Sequence, residues 1–101
     1  MPAGYVIVEM NITDPDRYKE YAARAPEAVK AAGGEYLVRG GRSESLEGDW
    51  QPHRVAVLRF PSYEQAKAWY ESEKYTQARS HRAGATDYFN MVVVEGVAAP
   101  V

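Results

Sequence analysis

Short runs dense in β-branched and aromatic residues alternate along this chain with longer stretches whose apolar positions recur every three or four residues. The two periods predict its elements. Tyr5–Ile12 (YVIVEMNI) reads as the first strand, with Val6, Val8 and Met10 on one face and Tyr5, Ile7, Glu9 and Asn11 on the other. Two polar side chains on that second face mean that it meets water, a partner or a ligand. Thr13-Asp14-Pro15-Asp16 then starts a helix: Thr13 or Asp14 caps it, Pro15 is pre-set for the first turn, and the carboxylates sit at the positive end of the dipole. Tyr18, Tyr21, Ala22, Ala25, Val29 and Ala32 form its apolar stripe. Pro26 donates no hydrogen bond and its ring crowds the carbonyl of Ala22, which predicts a kink or a restart. The apolar phase continues past it, favouring one bent element, and Gly33-Gly34 ends that element.

Glu35–Gly40 (EYLVRG) is a second strand, broken by Gly40-Gly41 as a bulge or bend. The polar continuation RSESLEGD is either a charged edge extension or a loop folded over something. Gly48–Pro52 is a turn whose Trp50 needs a place for its indole. His53–Phe60 is a third strand, closed by Pro61. Ser62 caps the next helix, and Gln65 is placed to return a bond to the Ser62 backbone. Tyr63, Ala66, Trp69, Tyr70 and Glu73 give that helix one aromatic face. Ser72 caps a further short helix, Glu73 to about Ala83, in which Tyr75, Ala78, Arg79 and Arg82 share a side and which Gly84 closes. Thr86–Glu95 is the last strand; residues 1–96 form one domain and 97–101 a loose tail.

The order β-α-β-β-α-β, with a short extra helix, defines an α+β, ferredoxin-like sandwich: a four-stranded antiparallel sheet with its helices on one face. The strands carry apolar residues at both parities, Val55 and Val57 against Ala56, Leu58 and Phe60, and Val92 and Val94 against Met91 and Val93. A sheet with one wet face would alternate cleanly. The open face is therefore expected to be covered by a second copy of the chain, as a homodimer paired sheet to sheet.

Composition narrows the function. A net charge of −2 argues against nucleic acid as a partner. The absence of cysteine excludes disulfides, thiolate metal sites and a cysteine nucleophile. No secretion signal and no membrane-length run is visible, so the expected location is the cytoplasm, with no membrane partner. His53 and His81 lack metal-pair spacing, and the acidic string Glu44, Glu47, Asp49 lacks the EF-hand pattern, so neither a metal nor any other cofactor is expected.

Arginines and aromatics carry the remaining chemistry. Arg39, Arg54, Arg79 and Arg82 fall in or beside the sheet and the last helix, with Tyr18, Tyr21, Trp50 and Trp69 available as walls. A planar guanidinium between rings suits a small organic acid, or an aromatic or carbonyl compound. His53 and Tyr75 are the candidate catalytic, proton-handling groups.

Taken in order, Tyr18 and Tyr21, Gly33-Gly34-Glu35-Tyr36-Leu37-Val38-Arg39-Gly40-Gly41, Leu46-Glu47-Gly48-Asp49-Trp50, Arg54, Leu58-Arg59-Phe60-Pro61-Ser62, Ala66, Trp69-Tyr70, Ser72, Tyr75 and the terminal Val94-Glu95-Gly96 resemble the bacterial family called domain of unknown function 1330. The resemblance covers nearly the whole chain. It implies the dimeric α+β barrel superfamily, whose relatives include cofactor-free monooxygenases of antibiotic biosynthesis, isomerases and haem-dependent enzymes, with ligands between sheet and helices. Haem through His81 is permitted by that analogy alone. The expectation is a homodimeric small-molecule-binding protein, acting as a cofactor-free monooxygenase- or isomerase-like enzyme; the alternative is a non-catalytic ligand-sensing or interaction dimer.

Overall fold

In a computed structural model describing residues 2–98, β1 (Gly4–Ile12), α1 (Pro15–Ala31), β2 (Glu35–Arg39), β3 (Arg54–Phe60), α2 (Tyr63–Glu71), α3 (Glu73–Ser80) and β4 (Thr86–Glu95) follow one another. Of the expected tail, residues 99–101 lie outside the described residues. The strands form one antiparallel sheet in the order β2-β3-β1-β4. No described helix is long and apolar enough to cross a membrane.

Local chemistry sets the element ends. Asp14 accepts from the Arg17 amide and Ser62 from the Gln65 amide, so each first turn finds a partner for an orphan N–H. The Gln65 side chain makes no return bond among the described residues, so the capping box is half formed. Pro26 lies inside a continuous α1, with Tyr21, Ala25, Ala28 and Val29 buried around it. Burial of that face on both sides of the proline offsets the lost bond. The last helix is shorter than its periodicity predicts. After Ser80 the His81 and Arg82 amides bond three residues back, to the Ala78 and Arg79 carbonyls, which tightens the chain into a turn ending at Gly84 (φ 80°).

One face of the sheet holds the core. Val6, Val8 and Met10 of β1 and Ala56, Leu58 and Phe60 of β3 pack under the buried stripe of α1 and under Ala66 and Trp69 of α2. Of the predicted α2 face, Ala66 and Trp69 are buried while Tyr70 is 40% exposed, because the helix touches the sheet along a narrower stripe than its aromatics cover. Gly4 is required where β1 passes under the start of α2: a Cβ there would overlap the Ser62 carbonyl.

The other face carries Ile7, Val38, Val55, Val57, Val92 and Val94, with Ile7 paired between Val57 and Val92. The chain spans 17 Å along its shortest principal axis, the depth of one sheet and one helix layer. No described element covers this second face.

Candidate functional site

β2 runs antiparallel to β3 with an irregularity between Tyr36 and Val38. Tyr36 lies opposite Leu58, Val38 opposite Val57 and Arg39 opposite Ala56, so Leu37 is the extra residue of a bulge. Without that bulge Tyr36 and Arg39 would face opposite sides; with it both face the helices. Arg54 starts β3 on the same side as Ala56 and Leu58, and α1 brings Tyr18 across from them. These residues rim a cavity of about 30 Å³ floored by Val8 and Leu58 and closed by Trp69 and Phe89. That is room for a water molecule. A larger guest enters only if part of the rim moves.

Arg39 forms the exposed end of that rim. Its Nη2 donates to the Ala22 carbonyl of α1 at 3.0 Å, and its guanidinium lies 4.7 Å from the Tyr36 ring centre. Arg54 is packed against the chain at Gly40 (φ 73°), where any side chain would collide with its guanidinium. Among the described residues neither Arg39 nor Arg54 forms an ion pair with a carboxylate. Burial pushes the Tyr18 and Tyr36 hydroxyls above the usual phenol range; Arg54 pulls Tyr18 the other way and Arg39 opposes both shifts. The rim is thus two guanidiniums and two neutral phenols.

Deeper in, the Tyr21 and Tyr75 hydroxyls are 2.8 Å apart and the Tyr75 ring stacks 4.2 Å from Trp69. Tyr75 is completely buried, and burial also drives the Tyr21 hydroxyl upward. Substituting Tyr75 by Phe leaves the Tyr21 hydroxyl without a partner, at an expected cost of about 1–3 kcal/mol. Adding Tyr21→Phe should return part of that loss, and a thermodynamic cycle from urea unfolding measures the coupling. Equal additive losses would mean that the two hydroxyls do not interact.

The predicted site residues therefore divide into groups. Tyr18, Tyr21, Arg39, Arg54 and Trp69 surround the cavity. Tyr75 sits behind Tyr21. Arg82 lies 3.7 Å from the Phe89 ring centre and 5.5 Å from that of Tyr21, at the cavity's flank, with a buried Nε that has no partner among the described residues. Arg79 turns outward over Tyr70, at 4.6 Å. His81 caps the C-terminus of α3. Tyr36 and Phe89 belong to the cavity without having been singled out in the sequence. The Tyr36 position depends on the bulge, which leaves no pattern in five residues; Phe89 follows only once the β1–β4 register pairs it with Met10.

His53 and Trp50 lie on the opposite face of the sheet. There the Glu9 carboxylate, 9% exposed, accepts from the Tyr88 hydroxyl and, at 3.2 Å, from the His53 backbone N–H. His53 Nδ1 lies 2.8 Å from the Tyr88 oxygen. The Tyr88 hydrogen bond is the main cause holding Glu9 below the usual carboxylate range, with smaller contributions from the His53 amide and the Trp50 indole; the same bond pushes Tyr88 up to about 12. Two stability limbs follow from linkage. The Glu9 contribution is fully present above the ordinary carboxylate value of 4.5 and is lost as pH falls through its lowered value. The Tyr88 contribution is fully present below the ordinary phenol value of 10.0 and is lost as pH rises toward about 12. Tyr88→Phe should flatten the alkaline limb and weaken the acid one, as read from urea midpoints across pH; unchanged limbs would contradict the coupling.

The chain belongs to the family described as Domain of unknown function (DUF1330), whose profile matches residues 3–97. No curated protein matches it in sequence. Among solved structures, a protein of unknown function from Rhodopseudomonas palustris is similar at a TM-score of 0.72 and 16% identity, over 97% of this chain and 85% of that one. A dimeric ferredoxin-like protein of unknown function from Thermobifida fusca follows at 0.60 and 12%, over 93% and 91%. A candidate antibiotic biosynthesis monooxygenase from Caulobacter crescentus stands at 0.60 and 14%, over 95% and 91%. At these identities the likeness establishes the ferredoxin-like fold.

Proposed function

We propose that the protein is a homodimer that binds a small organic acid, or an aromatic or carbonyl metabolite, at the Arg39–Arg54 rim. The observation that carries this is the convergence of two guanidiniums, unpaired with any described carboxylate, between the Tyr18 and Tyr36 rings. A carboxylate there accepts paired N–H bonds from Arg54 and draws Arg39 off the Ala22 carbonyl, opening the crevice. The guest's ring then packs between Tyr18 and Tyr36. The dimer is supported by the uncovered apolar sheet face and by the dimeric Thermobifida fusca relative.

In the enzymatic version, suggested by the candidate monooxygenase from Caulobacter crescentus, Arg39, Arg54 or Arg82 stabilises a substrate carboxylate or enolate without a bound cofactor. One observation favours the non-catalytic version of the same dimer, as a ligand sensor. Tyr75, a candidate proton carrier, is sealed from solvent and tied to Tyr21, so it does not touch a guest at the rim.

Native mass spectrometry of the purified protein, followed by calorimetric titration with benzoate, tests the binding. The expected result is a dimer that carries a small acid or takes up benzoate, with affinity falling at least about tenfold in Arg54→Gln, the loss of a charge-assisted bond. A dimer without bound acid that gives no heat with benzoate would overturn the site and leave the fold intact.

A further inference from the structure

Next to the crevice lies a second cavity, which the Arg39–Arg54 rim does not touch. It holds about 210 Å³ between α2 and β4, on the helix side of the sheet and so away from the face that a second copy covers in the homodimer. Val6, Ala66, Met91 and Val93 line it together with the Trp69 and Tyr70 rings. A cavity of about 150 Å³ already suffices for benzene. At its mouth stand one cation and one anion, Lys67 and Glu71, both exposed, so nothing there selects a charged guest. The strand register sets this groove in line with the crevice. On β1, Met10 and Val8 line the crevice and Val6, two residues on, lines the groove; on β4, Phe89 and Met91 line the crevice, and Met91 and Val93 the groove. Trp69 and Met91 thus belong to both cavities and form the wall between them. The Trp69 ring is packed against Phe60 and Tyr75, whereas Met91 is half-buried on an edge strand and unbranched, with three rotatable bonds.

On the reading that the crevice binds an acid, we infer that crevice and groove are the two ends of one site for an unbranched alkanoic acid, its carboxylate at Arg54 and its chain passing Met91 into the groove. Size and polarity assign the ends. The crevice, about 30 Å³, has guanidiniums at its rim but no room for the body of a guest. The groove has the room, and its apolar walls would leave a carboxylate poorly solvated. Arg54 pairs with Met10 across the sheet, and Val6 lies four residues further along β1, a span of about 14 Å. An extended chain of medium length bridges that span, and benzoate does not. A branched or fused-ring body would need Trp69 to give way as well as Met91, and the rings packed against Trp69 oppose that. Each methylene that enters the groove exchanges water for apolar wall, so affinity should climb about three- to fourfold per added carbon.

Calorimetric titration of the full chain with sodium hexanoate, octanoate and decanoate, beside benzoate, tests this. The dissociation constant should fall about tenfold for each two carbons added. Val93→Trp, which fills the groove, should weaken decanoate at least about tenfold and leave benzoate as in the wild type. NMR of the wild-type complex should show contacts from the end methyl of decanoate to the Val6 and Val93 methyls, a readout that needs no variant to fold. Benzoate bound with no gain along the alkanoate series would overturn the inference and leave the crevice site standing, as would a decanoate affinity unchanged in Val93→Trp. No heat with any of the four acids would overturn both. Decanoate that binds Arg54→Gln as tightly as the wild type would put a chain in the groove with no head at the rim, and overturn the single site.

Discussion

Replacing Trp69 by alanine is expected to lower the unfolding free energy by about 3–5 kcal/mol. Trp69 is 2% exposed and lies between the Phe60 ring at 5.1 Å and the Tyr75 ring at 4.2 Å. It bears on α2, on the sheet and on the aromatic pair behind the crevice together. Neighbours on a strand and two helices cannot collapse into the space together, so the cavity persists and its cost adds to the lost burial. Since domains of this size have about 5–15 kcal/mol in hand, the variant should be partly unfolded at physiological temperature. Trp69→Phe, which keeps most of the volume, should lose much less. Urea unfolding followed by circular dichroism measures both, and an alanine variant within about 1 kcal/mol of wild type would mean that Trp69 does not hold the layers together.

Val92→Asp should turn the proposed dimer into a monomer. Val92 sits on the uncovered sheet face, 52% exposed, directly across from Ile7. A carboxylate there would have to be desolvated between two apolar sheets without a partner, which costs several kcal/mol at each of two symmetry-related positions. Light scattering should show the mass halve, whereas Ala23→Asp, on the exposed side of α1, should leave it unchanged. Wild-type protein that is already monomeric at micromolar concentration would remove the sheet-to-sheet reading.

Both expectations draw on features that the linear pattern carries unequally. Trp69 could be placed in a core from its spacing with Ala66, and the apolar parity of Val55, Val57, Val92 and Val94 pointed to a two-sided sheet. Both signals are local: they need only the helical or strand period. The crevice was less legible. Tyr18 and Tyr21 announced themselves on a helix stripe, but Arg39 reaches the same cavity only because Leu37 is bulged out of register. Tyr36 joins it for the same reason. Arg79 and Arg82, three residues apart, read as sharing a face, yet the chain tightens after Ser80 and sends Arg82 to Phe89 and Arg79 to Tyr70. Sequence position sets His53 and Trp50 beside Arg54, although strand alternation sets His53 and Arg54 on opposite sides of the sheet.

The sequence by itself determined the order of elements, their caps and breaks, the buried stripe of each helix and the family. These depend on backbone preferences and on periodicity within a dozen residues. Tertiary structure decided which side chains meet. Glu9, Tyr88 and His53 are separated by up to 79 residues and become one hydrogen-bonded chain only through the antiparallel register of β1 with β3 and β4. Arg39 and Tyr36 become neighbours only through one bulge. Register is set by the summed burial of whole strands, and shifting it by a single residue exchanges the faces, so no short motif could have encoded either grouping.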